Sequence, residues 1–577
     1  MATPGRRTDA LTAKEIEAAR LTPEIQRRIL DFFNSARRPE DLAALENAAL
    51  DEEVAARVLA KRDEVGAHGY RELKELIGIR GLTGEAFELL CHAFGPAVYG
   101  QWKLTYPTKF PDGSEYWVAH AAVLHTGKVL FLPESDTTTT LLWDPSDEIH
   151  PHFEHLVDQP DERLFCTGHA FLSDGRLLVA GGGGGGPSGV DRAYRFEPVA
   201  KSWTKTAGNM TQARWYPTLV TLGDDHRVMV VGGWFSADSA EVYDENTDTF
   251  TAITGFHSKR NFPQLYPGLH LLPGGAIFYS RTGWGSAGQG PGGGDPVPSD
   301  AYFHFTDVNA GEWVELGSQM EYTDRVRGMS VLLLRKCHPT VRVLVVGGTA
   351  VPGSETAESI ELSTLLPSWD MPMIIPGASS RINVSAVLLP DGKVFVVGGT
   401  QTPAPPSALY DPDRDMWSPL AGANYRKQYH SVAVLLPSGK VAATGGSHYG
   451  GGSNVIEIFS PPYLFKPDGT PAHRPVISHI PNVVNRGQVF DLKTPDAADI
   501  WKVVFVWPMA VTHQTDPGQR VVEADFHRAG TTLKVTAPDG QAGGGPQVHG
   551  TAPRGYYMVF AINSHGAPSE AKFVLLH

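Results

Sequence analysis

The stretch Arg426-Lys427-Gln428-Tyr429-His430-Ser431 runs directly into VAVLLPSGKVAATGG (432–446). An apolar strand, a Pro-Ser-Gly turn, a second apolar strand and a Gly-Gly pair follow one another there. The same unit returns as AAVLHTGKVLFLPES (from Ala121), HAFLSDGRLLVAGG (His169), PTLVTLGDDHRVMVVGG (Pro217) and PGLHLLPGGAIFYS (Pro267). It continues as GMSVLLLRKCHPTVRVLVVGG (Gly328) and NVSAVLLPDGKVFVVGG (Asn383). An aromatic residue closes most copies: Trp143, Trp203, Phe250, Trp313, Trp369 and Trp417.

A period of roughly 50 residues is that of kelch-type propeller blades, and a simple barrel gives no reason for it. Seven copies predict seven four-stranded blades. The seventh is followed by IEIFSPPYLF with no blade tryptophan, so GQWKLTYP around Trp102 is expected to supply its missing strand. That strand closes the ring and removes an exposed edge. The sequence therefore predicts a mainly β chain in three parts: a helical domain over 1–97, a seven-bladed kelch propeller over 98–466, and an Ig-like β-sandwich over 467–577. The last rests on QVFDL, KVVFVWP, TTLKV and GYYMVFAIN, short runs spaced by Gly, Pro, Asp and Asn.

The first hundred residues read as helices. Thr22-Pro23-Glu24 is an N-cap, a first-position proline and an acidic first turn before IQRRILDFFNSA. DEEVAARVLAKRDEV ends at Gly66, and RELKELI, GIRGL and TGEAFELLCHAF follow, the last capped by Thr83. This region resembles a helix-hairpin-helix module, with Arg80 where the usual hairpin has its second glycine. Such hairpins hold a DNA phosphate, but residues 1–95 carry 14 Lys/Arg against 17 Asp/Glu. That balance suits packing or a protein partner better than nucleic acid.

The whole chain, 577 residues with a net charge of −14, has the same bias against nucleic acid. No run reaches the roughly 18–20 apolar residues of a membrane helix. The start, MATPGRRTDALTAKEIEAAR, lacks the apolar centre of a secretory signal. The expectation is a chain that stays inside the cell unless a leader has been removed.

Cys91, Cys166 and Cys337 are too few and too scattered for a disulfide framework or a cysteine zinc site. Cys91 reads as a small buried hydrophobe and Cys337 as part of a turn insertion. His150, His152 and His155 look metal-like but lie between blades, where a solvated loop is the plainer reading. The glycine run 181–186 lacks the Lys-Ser/Thr of a phosphate loop.

The repeat register aligns the remaining candidates. Cys166 stands 15 residues before Gly181 and His430 stands 15 before Gly445. Tyr216 stands 16 before Gly232, in a blade whose hairpin is one residue longer. Equivalent positions on inner strands share one height around the axis, so Cys166, Tyr216, Tyr429 and His430 converge at one end of the channel. Tyr266 and Asn383 hold similar places in other blades, so position alone does not make a ligand. The plain alternative is aromatic side chains plugging a dry channel.

The words Phe165-Cys166-Thr167-Gly168, Ala213-Arg214-Trp215-Tyr216, Gln428-Tyr429-His430-Ser431, Thr512-His513 and Gln519-Arg520, with GYYMVFAINSHGAPS near the end, are similar to those of the copper radical oxidases. This is the galactose oxidase and glyoxal oxidase group, and the likeness covers roughly residues 100–577. QLYPGLHLLPGG is closer to the glyoxal oxidase branch.

The resemblance implies one copper ion held by Tyr216, Tyr429, His430 and His513. It implies a Cys166–Tyr216 thioether whose ring serves as a stable tyrosyl radical, and Tyr429 as the axial base. His513 would arrive on a hairpin of the C-terminal domain. The implied reaction takes a small primary alcohol or hydrated aldehyde and O2, and gives H2O2. A tryptophan stacks on the crosslinked ring in galactose oxidase; Trp234 is the favoured counterpart here, with Trp284 the other candidate. The alternative function is a non-catalytic kelch scaffold that binds a protein partner through its rim and its helical domain.

Overall fold

Tight turns set the strand spacing. In the copy around Gly439 (φ 75°) the Leu436 amide donates to the Lys440 carbonyl at 2.8 Å, closing a short hairpin that any bulkier residue at that φ would strain. The computed structural model describes residues 10–577 apart from short stretches, the longest being 44–49, 257–264, 285–300, 401–405 and 540–550. Two compact units emerge: residues 1–101 with 461–473, and residues 102–460 with 474–577.

The second unit is mainly β, a propeller followed by a C-terminal β domain. A representative blade pairs Gly168–Phe171, Leu177–Ala180, Ala193–Glu197 and Ser202–Lys205 in order, all antiparallel. Sheets of the same order occupy 218–252, 269–315, 329–374 and 384–420. Another joins Gln101–Pro107 to Ser453–Ser460, Val441–Gly445 and Ser431–Leu435, so the strand around Trp102 completes the last copy as its sequence expects. Trp102 Nε1 donates to the Ala421 carbonyl at 2.8 Å.

Inner strands such as Val384–Leu388 and Ser431–Leu435 are buried along their whole length, which is why they read as unbroken apolar runs and not as alternating ones. Each Val or Leu buried there contributes about 1.5–3 kcal/mol.

The blade over 118–155 differs. Its inner strand Val118–Val123 gains a fifth strand, Ala510–Thr512, pairing His120 with Thr512 and Ala122 with Ala510. That strand belongs to a hairpin of the C-terminal domain and lies between Val118–Val123 and Gly168–Phe171. The rest of the domain is a seven-stranded sheet containing Ile500–Val506 and Gly555–Asn563, with Val503, Phe505, Tyr557 and Val559 in its core. The four runs picked out in the sequence are strands within one or two residues of the expected ends.

The first unit contains the helices Pro23–Ser35, Glu52–Val65 and Gly84–Ala93 with shorter turns between them. Asp51 caps the second through the Val54 amide at 2.8 Å, and Thr83 caps the third through the Ala86 amide at 3.2 Å. RELKELI forms only a 3₁₀ turn, Leu73–Leu76. The Gly78 amide donates to the Leu11 carbonyl at 3.4 Å, so part of the hairpin's donor set is spent inside the unit. Thr22, His150 and Cys337 lie outside the described residues.

Candidate metal centre

The site rests on one backbone device repeated around the ring. Cys166, Tyr216, Tyr266, Arg327, Asn383 and His430 all sit at left-handed φ, 46–66°, where each chain enters its inner strand. Non-glycine residues avoid that region, so six in one register mark a conformation imposed by the surroundings. In four of the six, Tyr216, Arg327, Asn383 and His430, a buried cation stands two or three positions earlier. Arg214 pairs with Glu241 at 2.9 Å, Lys427 with Glu457 at 2.7 Å, and Arg325 with Glu358, all with fully buried side chains. Arg381 uses only carbonyls, those of Gly398, Pro406 and Pro376.

The Gly-Gly pairs are the other half of the device. Gly182 donates to the Arg214 carbonyl at 2.8 Å, Gly348 to Arg381 at 2.9 Å and Gly399 to Lys427 at 2.9 Å. A Cβ on Gly181 would come within 2.6 Å of the Arg214 carbonyl, and one on Gly347 within 2.2 Å of that of Arg381. Glycine is required because the next blade's backbone passes where a side chain would be.

The register residues also hold one another. The Tyr216 amide donates to the Cys166 carbonyl (3.1 Å), Tyr266 to Tyr216 (2.7 Å) and Asn383 to Arg327 (2.9 Å). Five of the side chains singled out in the sequence meet on this platform. Tyr216 Oη lies 2.5 Å from Tyr429 Oη and 3.1 Å from His513 Nε2. The His430 and His513 rings are 4.5 Å apart, and Cys166 packs with Tyr216 in one buried cluster. His513 comes on the hairpin of the C-terminal domain just past Thr512, itself at φ 45°.

A hydrogen bond and a charge contact fix which nitrogen of each histidine is free to bind a cation. Thr512 Oγ1 donates its proton to the Ala119 carbonyl at 3.0 Å, so it accepts from His513 Nδ1 at 2.6 Å. The His513 Nε2 lone pair is then the one facing Tyr216. His430 Nδ1 lies 3.0 Å from a Glu134 carboxylate oxygen, too poorly aligned for a full hydrogen bond but close enough for a charge contact, and His430 Nε2 is buried with no partner among the described residues. A carboxylate or hydroxyl behind each imidazole is the arrangement that orients a metal-binding histidine. Burial pushes both phenols above their ordinary range and holds His430 and His513 below theirs, so the imidazoles are neutral and ready to ligate. Among the described residues no three His, Cys, Asp or Glu gather at a metal-binding spacing. The donor set is two imidazoles and two phenols, which suits a tetragonal N/O ion such as Cu(II).

The tryptophan expectation changes. Trp215 lies flat on Tyr216 (4.1 Å, 12°), and Tyr266 covers it too (4.6 Å, 25°). Trp284 meets Tyr216 edge-on at 6.4 Å and covers Tyr429 at 4.6 Å, while Trp234 packs edge-on against Trp215 at 6.3 Å. The residue directly before Tyr216 reaches its face because the left-handed turn folds the chain back on itself. Arg327, over Trp284 at 4.6 Å, and Glu134 escaped the sequence reading. Glu134 had a signal: it lies in LPES (132–135), where most other copies carry Gly-Gly.

Comparisons with known proteins point the same way. Residues 474–576 match the family described as "Galactose oxidase-like, Early set domain". The chain is 26% identical over 527 residues to Aldehyde oxidase GLOX of Vitis pseudoreticulata, covering 79% of this chain and 94% of that protein. It is 25% identical over 466 residues to galactose oxidase of Gibberella zeae, covering 76% of this chain but 64% of the relative. Its fold is similar to that of a fungal alcohol oxidase of the AA5 family solved with copper, at a TM-score of 0.66 and 24% identity over 83% of this chain and 99% of that one. With its propeller, C-terminal domain and motif words in order, the chain is similar to the copper radical oxidases, the group of galactose oxidase and glyoxal oxidase.

Proposed function

We propose that the protein is a mononuclear copper oxidase that converts a primary alcohol to an aldehyde, or a hydrated aldehyde to an acid, and reduces O2 to H2O2. The observation that carries this is the meeting of Tyr216, Tyr429 and His513 within 3.1 Å, beside His430 and the Cys166 thiol. Tyr216, Tyr429, His430 and His513 would hold the ion, which supplies one electron's worth of oxidising power and draws the phenols toward their ionised form. The second electron taken from the substrate would have to be accepted by the protein, and the Tyr216 ring joined to Cys166 by a thioether, in its radical form, is the group to accept it.

Tyr429 Oη is placed to take the substrate's hydroxyl proton. Trp215, Tyr266 and Trp284 keep water from the Tyr216 ring, which protects a radical there. A scaffold has no use for these buried donors.

The same reading gives the ring seven blades, with the sheet containing Gln101–Pro107 as the seventh, followed by an Ig-like sandwich over 467–577. The helical region over 1–97, helix-hairpin-helix-like in its Gly78–Gly81 turn, would be a partner-binding domain rather than part of the catalyst. Copper-loaded protein should release H2O2 from some member of a panel of aldehydes, primary alcohols and sugars, and His513→Ala should abolish it. A fully copper-loaded, folded enzyme inert toward the whole panel would overturn the reading.

A further inference from the structure

Cys166 departs from the amide ladder described above in that its acceptor is a side chain. Tyr216, Tyr266 and Asn383 each donate to the carbonyl of another register residue. The Cys166 amide has no such carbonyl, because the hairpin strand Ala510–Thr512 is wedged between its own inner strand and Val118–Val123. It donates instead to a side chain, His120 Nε2, at 3.3 Å. His120 is buried, pairs in register with Thr512, and stands edge-on to His513 at 5.8 Å.

We propose that His120 is a positioning residue for the Cys166–Tyr216 thioether. It replaces the missing backbone acceptor, fixes Cys166 at its left-handed φ of 62°, and so keeps the thiol against the Tyr216 ring. The proposal rests on the oxidase reading. In the step it serves, a tyrosine C–H and the cysteine S–H are lost, a C–S bond forms, and the two electrons and two protons pass to O2 as H2O2. His120 touches neither reacting atom. Its Nε2 accepts the Cys166 amide, so that nitrogen presents its lone pair to the cysteine. Because that lone pair is used by the Cys166 amide, His120 acts on the cysteine and not as a copper ligand. Its contacts also make the geometry of Cys166 depend on a docked hairpin, so the thiol is aimed only when His513 has arrived.

The test follows crosslinking in full-length protein prepared without copper, then given copper and air. The readouts are loss of two hydrogens from the intact mass and protection of Cys166 from alkylation after denaturation. His120→Leu should crosslink at least about tenfold more slowly while binding copper within about threefold of the parent. His120→Gln, which keeps an acceptor, should restore most of the rate. His169→Leu, altering a buried neighbour 5.4 Å from His120, should leave it unchanged. Crosslinking of His120→Leu at the parental rate overturns the proposal while leaving the oxidase reading intact; a parent that never crosslinks overturns the oxidase reading itself. Should His120→Leu fail to fold, His120→Gln against His120→Ala gives the same comparison.

Discussion

Tyr216 and Tyr266 occupy the same register in neighbouring blades, both at left-handed φ, with their rings stacked at 4.6 Å. Their hydroxyls have opposite fates. Tyr266 donates to the Thr167 carbonyl at 2.8 Å, a fixed backbone acceptor inside the ring. Tyr216 faces Tyr429 and His513, two groups that a cation can take over. His513 even lies over the Tyr266 ring, at 4.8 Å, while aiming Nε2 at Tyr216. Register sets the height of a side chain around the axis. What its polar end meets decides whether it is a ligand or a wall.

The strongest way to break that contrast is to remove the Tyr216 hydroxyl. On the proposed reading Tyr216→Phe deletes both a ligand and the phenol that holds the radical, and should lower peroxide release by at least about 10⁴-fold. Its copper affinity, by chelator competition, should fall at least about 100-fold. Retained turnover would mean the two tyrosines are not functionally distinct.

The platform under Tyr216 comes next. Glu241→Ala leaves Arg214 buried and unpaired, and should cost about 3–5 kcal/mol of stability in denaturant unfolding. Glu241→Gln, which keeps an acceptor, should cost less. Equal losses for the two would mean that charge is irrelevant there.

This contrast marks how far the sequence could be read. The ~50-residue period, the Gly-Gly pairs and the strand missing from the last copy are local patterns, and they led to the propeller and to Cys166, Tyr216, Tyr429 and His430 directly. His513 came only through the family resemblance, because nothing within residues 467–577 says that its hairpin inserts beside Val118–Val123. Glu134 acts on His430, far along the chain, and His120 and Arg327 act on Cys166 and Trp284 in adjoining sheets, so none of these pairings lies within a single repeat. Trp215 was overlooked because stacking on the next residue requires a left-handed turn, and strand periodicity assumes extended backbone. Nothing in the sequence separates Tyr266 from Tyr216, since the difference lies in which carbonyl lies opposite.

The hairpin that makes Tyr216 the chosen tyrosine carries a pH dependence. Asp516, buried beside the Ala510 and Gly518 amides, is pushed up to about 7 by burial, from an ordinary value near 3.8. A carboxyl raised on folding contributes stability that is complete below its unfolded value and lost as pH climbs through its folded one. Stability should therefore fall between about pH 4 and pH 7 by roughly 2–4 kcal/mol at most, and Asp516→Asn should flatten that part of the profile. Glu245, also pushed up to about 7 by burial, titrates in the same window, so Glu245→Gln serves as the control. An unchanged pH profile in Asp516→Asn would remove this link.

A smaller effect separates the two histidines. His430 is backed by a carboxylate and His513 by a hydroxyl. Glu134→Gln should weaken copper binding about 10- to 100-fold, the usual consequence of disturbing the group behind a metal-binding imidazole. Thr512→Val should do less, because a hydroxyl polarises the ring more weakly than a charge. The reverse order would show that orientation outweighs polarisation at this site.

The smallest expected change is the most direct check on the opening contrast. Tyr266→Phe removes one buried hydrogen bond to the Thr167 carbonyl and keeps the ring that covers Tyr216. The net loss should be about 1 kcal/mol of stability, with a further penalty if the orphaned carbonyl finds no water. Copper affinity and crosslink yield should stay within about threefold of the parent, because no donor has been removed from the site. Tyr266→Leu should behave differently, since it also uncovers one face of Tyr216 and part of His513: copper would still bind, but the oxidised enzyme's radical absorbance should decay several-fold faster. If Tyr266→Phe instead loses copper as Tyr216→Phe does, the Tyr266 hydroxyl leaves Thr167 when the ion is present, and position in the register would be enough to make a ligand after all.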